Sequence, residues 1–187
     1  MTNSEKFRPG SAIASGWILI AFFVGFIVQS FFYGGDIILT LGVCGAGAFG
    51  SYLLFLKPYV LLFDEGIKIV NPTKEITATW DLVEEIETKY SMSVEINGQA
   101  YFAWAAPAPS GRHSRRMNNT DLLPGANDLR RVGDSLKSVS GVCSYMAKIR
   151  KKNFVDTGAS EVEIISDNRD LYILAALVLI GAIGAII

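Results

Sequence analysis

Two uncharged runs lie near the start of this sequence: AIASGWILIAFFVGFIVQSFFY, residues 12–33, and, after the triplet Gly-Gly-Asp, IILTLGVCGAGAFGSYLLFL, residues 37–56. At about 1.5 Å of rise per residue, helices of these lengths would measure about 33 and 30 Å. The hydrocarbon core of a bilayer is also about 30 Å thick. The pattern therefore predicts a transmembrane helical hairpin over residues 12–56, with the triplet as its turn.

A signal peptide is the competing interpretation of the first run, since Lys6 and Arg8 precede it. The apolar core of a signal peptide has only about 7–15 residues, and here a second apolar run follows at once. Trp17 and Tyr33 lie near the two ends of the first run, where interfacial aromatic residues are common. The sequence therefore favours a permanent anchor.

A third apolar run, LYILAALVLIGAIGAII, occupies residues 171–187. As a helix it would be about 25 Å long, which is the short end of the spanning range. We expect a C-terminal transmembrane helix here, and the sequence leaves open whether it spans fully.

Glycines on the second and third runs are candidates for close helix packing, because small residues let two helix backbones approach each other. These candidates are Gly42, Gly45, Gly47, Gly50, Gly181 and Gly184. They contain no GxxxG motif, and the tolerance of lipid-embedded helices for glycine is the alternative explanation.

Basic residues set the expected orientation. Lys6 and Arg8 precede the first helix and Lys57 follows the second, whereas the hairpin turn contains no base. Because positively charged flanks stay in the cytoplasm, residues 1–11 are predicted to be a cytoplasmic tail and the central domain to be cytoplasmic as well. The expected location is the plasma membrane, crossed several times, with the C-terminus outside.

Charge is concentrated in the middle of the chain, although the net charge is only −1 and the mean hydropathy is +0.33. Summed by segment, the charge is −4 over residues 57–104, +7 over residues 105–152 and −4 over residues 153–170. Such blocks influence partners and membrane orientation more than they influence fold. They indicate a water-exposed domain over residues 57–152, followed by an acidic connector over residues 153–170.

Short strand-like runs separated by turn residues fill the first part of this domain and predict an antiparallel meander. The runs are Tyr59–Asp64, Gly66–Asn71, Glu75–Trp80, Leu82–Lys89, Ser91–Ile96 and Ala100–Ala105. The fourth run can also be read as helical, because its acidic residues do not alternate strictly with its apolar ones. Asn97-Gly98 is the strongest hairpin signal, since both residues tolerate positive φ.

A loop and a helix complete the predicted domain. Residues 106–127 are rich in Pro, Gly, Ser and Asn and predict a long loop. Residues 128–152 predict an amphipathic helix capped by Asp128, with apolar residues at three- and four-residue steps. A strand meander followed by one such helix is the pattern of a pleckstrin-homology-like (PH-like) barrel.

Three segments resemble those of actinobacterial membrane-anchored PH-domain proteins: DEGIKIVNP at residues 64–72, WDLV at residues 80–83 and YFAWAAPAP at residues 101–109. The resemblance implies an α+β membrane protein, in which an N-terminal transmembrane hairpin and a C-terminal transmembrane helix flank a PH-like antiparallel β-barrel closed by one amphipathic helix. The third apolar run and the acidic connector are not required by such a barrel. The resemblance implies no catalysis.

Proteins of this kind occur as accessory components beside the actinobacterial cytochrome bc and cytochrome oxidase supercomplex. The resemblance therefore implies a non-enzymatic accessory or scaffolding subunit of an integral membrane protein complex, with the respiratory supercomplex as the sharpest expectation for the partner. The alternative is a PH-like module that binds anionic phospholipids or envelope components.

Basic residues of the domain are the candidate contacts to lipid or to a partner protein, because each base near an anionic leaflet can add about 1 kcal/mol of attraction. They are Arg112, Arg115, Arg116, Lys151 and Lys152. A solvated loop is the competing interpretation of the arginine cluster. Nucleic acid is not an expected partner, because aromatic residues do not interleave with these bases.

The sequence indicates no catalytic residue, cofactor or metal site. His113 is its only histidine, and the two cysteines, Cys44 and Cys143, have no CxxC neighbour. Trp80 and Trp104 are predicted to pack in the core of the domain, and Pro72 to fix the turn after Asn71.

Overall fold

The computed structural model of the protein describes residues 3–88, 90–108, 138–155 and 160–186. The chain divides into two compact units. A helical unit contains residues 10–58 and 166–187, and a sheet domain contains residues 1–9 and 59–165.

The described residues form helices α1 Gly10–Tyr33, α2 Ile37–Ser51, α3 Val139–Asn153 and α4 Arg169–Gly184. The strands are β1 Glu5–Phe7, β2 Tyr59–Leu62, β3 Gly66–Val70, β4 Lys74–Thr79, β5 Val83–Glu87, β6 Ser91–Ile96, β7 Gln99–Pro107 and β8 Val162–Ser166. The central strand predictions are therefore confirmed, and the helical alternative for the fourth run is wrong.

The helical hairpin has the predicted turn. The Asp36 carboxylate caps α2 by accepting a hydrogen bond from the Leu39 amide at 3.0 Å. A π-helical turn, Tyr52–Leu56, continues α2, and the Lys57 amide closes it by donating to the Tyr52 carbonyl at 2.9 Å. By length and composition, Gly10–Tyr33 and Ile37–Leu56 are each able to cross a membrane.

The sheet domain contains a five-stranded sheet, in the order β1-β2-β3-β4-β8, and a three-stranded sheet, in the order β5-β6-β7. Consecutive strands from β2 to β4 and from β5 to β7 pair antiparallel. Apolar side chains of both sheets and of α3 form one buried cluster that includes Trp80, Met92 and Cys143. The indole nitrogen of Trp80 donates to the Phe63 carbonyl at 3.1 Å, which satisfies its one polar atom inside this core.

The described strands do not close into the single barrel that the sequence predicts. After β4 the chain turns through residues 79–82, where the Leu82 amide donates to the Thr79 carbonyl at 3.2 Å, and then enters the second sheet. Strand β8 occupies the edge of β4 that a barrel would offer to β5. The predicted acidic connector therefore contains a strand, β8, which pairs with β4. This pairing begins where the Thr79 amide donates to the Glu161 carbonyl at 3.1 Å.

Two other predicted boundaries are wrong. Residues 5–7 form strand β1, which pairs with β2, so they belong to the sheet domain and not to a separate tail. Helix α3 begins at Val139, because Ser138 is extended and its hydroxyl accepts a hydrogen bond from the Gly141 amide at 2.9 Å. The helix predicted from residue 128 is therefore interrupted there, and residues 128–137, like most of the predicted loop, lie outside the described residues.

Candidate membrane bundle and exposed faces of the sheet domain

Helices α2 and α4 touch through their backbones. A Cβ atom added to Gly42 would overlap the backbone nitrogen of Gly181, and one added to Gly184 would overlap the backbone nitrogen of Leu39. The ideal Cβ position of Gly181 lies 3.1 Å from the backbone nitrogen of Val43. These glycines let the two helices approach to backbone contact, which is the role that small residues have in membrane helices.

The line of contact between α2 and α4 is called the seam. Along this seam, residue numbers rise on one helix as they fall on the other. Near one end Leu39 lies against Gly184, and toward the other end the position of a Gly50 Cβ is 4.0 Å from the Leu174 side chain. Beyond that point, Lys57 Nζ forms an ion pair with Asp170 at 2.6 Å. Helix α4 is therefore antiparallel to α2 and extends from the level of Lys57 to that of Leu39, almost the whole length of its neighbour.

Helix α1 packs on α2 through two further glycines. A Cβ at Gly47 would overlap the ring of Phe23, and one at Gly16 would lie 2.9 Å from the Leu56 side chain. Gly16 was not among the sequence candidates, although its setting in Ala-Ser-Gly is a signal that could have indicated a small-residue contact.

The structure thus uses the predicted packing glycines inside the chain. Tight contacts between helices occur at Gly42, Gly47, Gly181 and Gly184. The ideal Cβ position of Gly45 lies 3.3 Å from the Leu177 side chain, and that of Gly50 makes only an ordinary van der Waals contact. These faces are occupied by the chain's own helices.

Large apolar side chains cover the outside of the helical unit. Phe22, Phe32 and Leu179 are 56%, 80% and 62% exposed, respectively. Each helix also exposes an aromatic residue with a polar atom near the Lys57 end: Trp17, Tyr52 and Tyr172. Such rings are common at the interface between lipid and water.

Inside the sheet domain, α3 contributes small residues to the core. Cys143 is fully buried, and burial raises the pKa of its thiol because the thiolate would lose its hydration. This thiol is a small apolar group of the core. No group of three or more His, Cys, Asp or Glu residues that could hold a metal occurs in the described part of the chain.

The basic end of α3 is largely engaged in holding the domain together. Arg150 forms ion pairs with Asp64 at 2.9 Å and with Glu5 at 3.4 Å, which ties α3 to the first sheet. Lys151 donates to the backbone carbonyls of Val83 and Glu84 on β5. These hydrogen bonds give Lys151 a structural role within the domain, and its role as a lipid or partner contact stays a prediction.

Lys152 remains the exposed candidate among the basic residues of α3 that the structure describes. Lys148 is exposed one helical turn earlier on the same face. The arginine candidates Arg112, Arg115 and Arg116 lie outside the described residues. Of the predicted basic contacts, the described residues therefore include only Lys151 and Lys152, and of these only Lys152 is exposed.

Strand β7 places its large side chains outside and its small ones inside. Trp104 is 57% exposed and Phe102 is 56% exposed, whereas Ala103, Ala105 and Ala106 are buried. The predicted core role of Trp104 is wrong, while that of Trp80, which is 1% exposed, is confirmed. Sequence reasoning also missed Phe102, although its alternation with alanine already placed it on the same face as Trp104.

Asn71 joins the two sheets at the position of these aromatic residues. Its amide nitrogen donates to the Phe102 carbonyl at 2.8 Å, and its amide oxygen accepts from the Trp104 backbone at 2.9 Å. The side chain thus pairs with the edge of β7 much as a neighbouring strand would. Pro72 follows directly, and its ring restricts its own φ in the turn between β3 and β4.

Strand β8 is exposed along its whole length, including Val162, Ile164 and Ile165. Next to its beginning, hydrogen bonds from the side chains of Ser160 and Thr79 lower the pKa of Asp81. These hydrogen bonds connect the turn after β4 to the segment that leads into β8.

Comparisons of the whole chain with protein-family models, with curated proteins and with solved structures find no match.

Proposed function

We propose that this protein is a non-enzymatic, membrane-anchored accessory subunit that presents its sheet domain to a larger integral membrane protein complex. The single observation that carries the proposal is the packing of the helical unit. Its glycine faces are filled by its own helices, whereas its large apolar side chains face outward. A bundle built in this way is stable in lipid and exposes in water the apolar surface that soluble proteins bury.

The proposal includes α4 as a third span. The helix runs antiparallel to α2 from the Lys57–Asp170 ion pair to the contact of Gly184 with Leu39. A helix that packs along a membrane-spanning helix over nearly its full length is embedded in the membrane to a similar depth. With three spans, the C-terminus is on the other side of the membrane from residues 57–152, as the positive-inside pattern also predicts.

The scaffolding role is supported by the character of the domain surface. Exposed aromatic side chains such as Phe102 and Trp104 are typical of protein interfaces, where aromatic residues are enriched. The resemblance to actinobacterial membrane-anchored PH-domain proteins makes the respiratory supercomplex the first partner to test.

Binding of anionic lipid by the domain is less well supported. Lys151 and Arg150 are engaged in contacts within the domain, and the second sheet carries exposed carboxylates that an anionic leaflet would repel. The helical unit already supplies the membrane attachment in this proposal, so the domain is left to contact protein.

Purification from native membranes in a mild detergent tests the proposal. We expect the tagged full chain to carry at least one membrane protein in constant ratio through two successive columns. An unrelated multi-pass protein with the same tag, purified in parallel, identifies background proteins. Recovery of the chain alone, with no partner in constant ratio, would contradict the accessory role.

A further inference from the structure

The outer face of the three-stranded sheet combines two aromatic side chains with carboxylates. Strand pairing places Glu87 opposite Ser93 and Ser93 opposite Phe102, so these three residues lie in one row across β5, β6 and β7. Directly paired residues point to the same side of a sheet. Phe102 is exposed on this side, and Trp104, two residues further along β7, is exposed with it.

A second carboxylate lies next to this row. Glu95 is paired with Ala100, whose small side chain leaves room beside Phe102. With strands about 4.8 Å apart, Glu87 and Phe102 are separated by about 10 Å between Cα atoms. We call the four residues Glu87, Glu95, Phe102 and Trp104 the aromatic-acidic face. The described residues of β5, β6 and β7 contain no Lys or Arg.

The backbone under this face is held in place. Asn71 hydrogen-bonds the Phe102 carbonyl and the Trp104 amide, while β6 pairs with the other edge of the strand. The two rings are thus presented on a fixed strand and not on a loop. Little conformational entropy remains to be lost there when a partner binds, which favours affinity.

We propose that the aromatic-acidic face binds a basic segment of a partner protein, in the membrane complex that the proposed function requires. Arg or Lys side chains of such a segment stack on Trp104 and Phe102 through cation–π contacts and form ion pairs with Glu87 and Glu95. An anionic lipid headgroup has the opposite charge requirement. The inference rests on the proposed function and adds the chemistry of the partner surface.

Photo-crosslinking in native membranes tests this assignment. Phe102 is replaced by p-benzoylphenylalanine in the full chain, and the cross-linked peptide is identified by mass spectrometry after illumination. The matched control carries the same crosslinker at Ile164, which is 46% exposed on the first sheet. We expect an adduct from position 102 to a segment of another protein with net positive charge, and no such adduct from position 164.

Charge variants complete the test. The double substitution Glu87→Gln and Glu95→Gln is expected to lower the yield of this adduct about fivefold, the size expected for one or two surface ion pairs. The control Glu163→Gln removes an exposed carboxylate from β8 and is expected to leave the yield unchanged.

Several results would overturn the inference. They are an adduct to lipid, to a second copy, to this chain's own residues 109–137 or to an acidic or neutral segment, and a yield that does not respond to the charge variants. If a partner co-purifies in constant ratio while position 102 gives no adduct, the face is wrongly assigned and the accessory role stands. If no partner co-purifies at all, both proposals fail.

Discussion

Glycine and tryptophan positions show how single residues determine each unit. In the helical unit, Gly42 and Gly181 meet at backbone distance, so that even a methyl group has no space there. In the sheet domain, Trp80 fills the core, and the opposing strand β7 turns alanines inward while Trp104 faces outward. In both units, the size of a side chain at one position decides which face of its neighbour can be buried.

Substitution of Gly42 by Ala is expected to destabilise the bundle. The added methyl group overlaps the backbone of α4, and overpacking of this kind typically costs about 1–3 kcal/mol. The matched control is Gly25→Ala on α1, where an added Cβ meets nothing within 4 Å. Thermal unfolding in detergent should show a lower midpoint for G42A and an equal or higher midpoint for G25A, because Ala favours a helix more than Gly does. Equal midpoints for both variants would show that the seam is not close-packed.

For single residues, the sequence was informative only where the two-residue period of a strand coincided with an alternation of large and small side chains. The alternation Phe102, Ala103, Trp104, Ala105 placed the aromatic residues and the alanines on opposite faces. It could not show which face is buried, because that depends on Trp80 and Met92 filling the space between the sheets. For the same reason, Gly42 and Gly184 could be recognised as packing residues, whereas their partners within the chain could not.

At the scale of elements, the apolar pattern predicted the long helices better than it predicted the short strands and their pairing. The bounds of α1, and of α2 together with its π-helical turn, match the uncharged runs closely. Strands β1 and β8 were missed, since each is short and its flanking residues are charged. The division into two sheets was also beyond prediction, because it depends on β8 and not β5 pairing with β4.

The ion pair between Lys57 and Asp170 offers a test of how α4 is fixed. Both side chains are mostly buried, and the pair closes the end of the bundle where α2 ends and α4 begins. A double-mutant cycle with Lys57→Met and Asp170→Asn is expected to give a coupling free energy of about 1 kcal/mol, the upper range for partly exposed pairs.

The cross-strand pair Lys68–Glu75 in the sheet domain, at 2.9 Å, is the matched control for this cycle. Its coupling is expected to appear only in the unfolding of the sheet domain. Additive effects of the Lys57 and Asp170 substitutions on unfolding of the bundle would contradict the antiparallel docking of α4.

At the scale of the molecule, the two units divide the physical tasks between them. The helical unit satisfies its backbone through helices and fills its small-residue faces internally, which leaves an apolar exterior suited to lipid. The sheet domain buries one core between two sheets and α3, and exposes a rigid aromatic strand. The account therefore depends on three membrane crossings, which place the two ends of the bundle on opposite sides of the bilayer.

Cysteine accessibility in sealed, right-side-out vesicles tests these three crossings most directly. Single cysteines are placed at Tyr33, Ile186 and Val155, which are 84%, 86% and 78% exposed, in a chain with Cys44 and Cys143 replaced by Ala. The account predicts that a membrane-impermeant maleimide labels positions 33 and 186 in intact vesicles and labels position 155 only after the vesicles are opened. Labelling of position 186 only after opening, together with position 155, would show that α4 does not cross the membrane and would contradict the account.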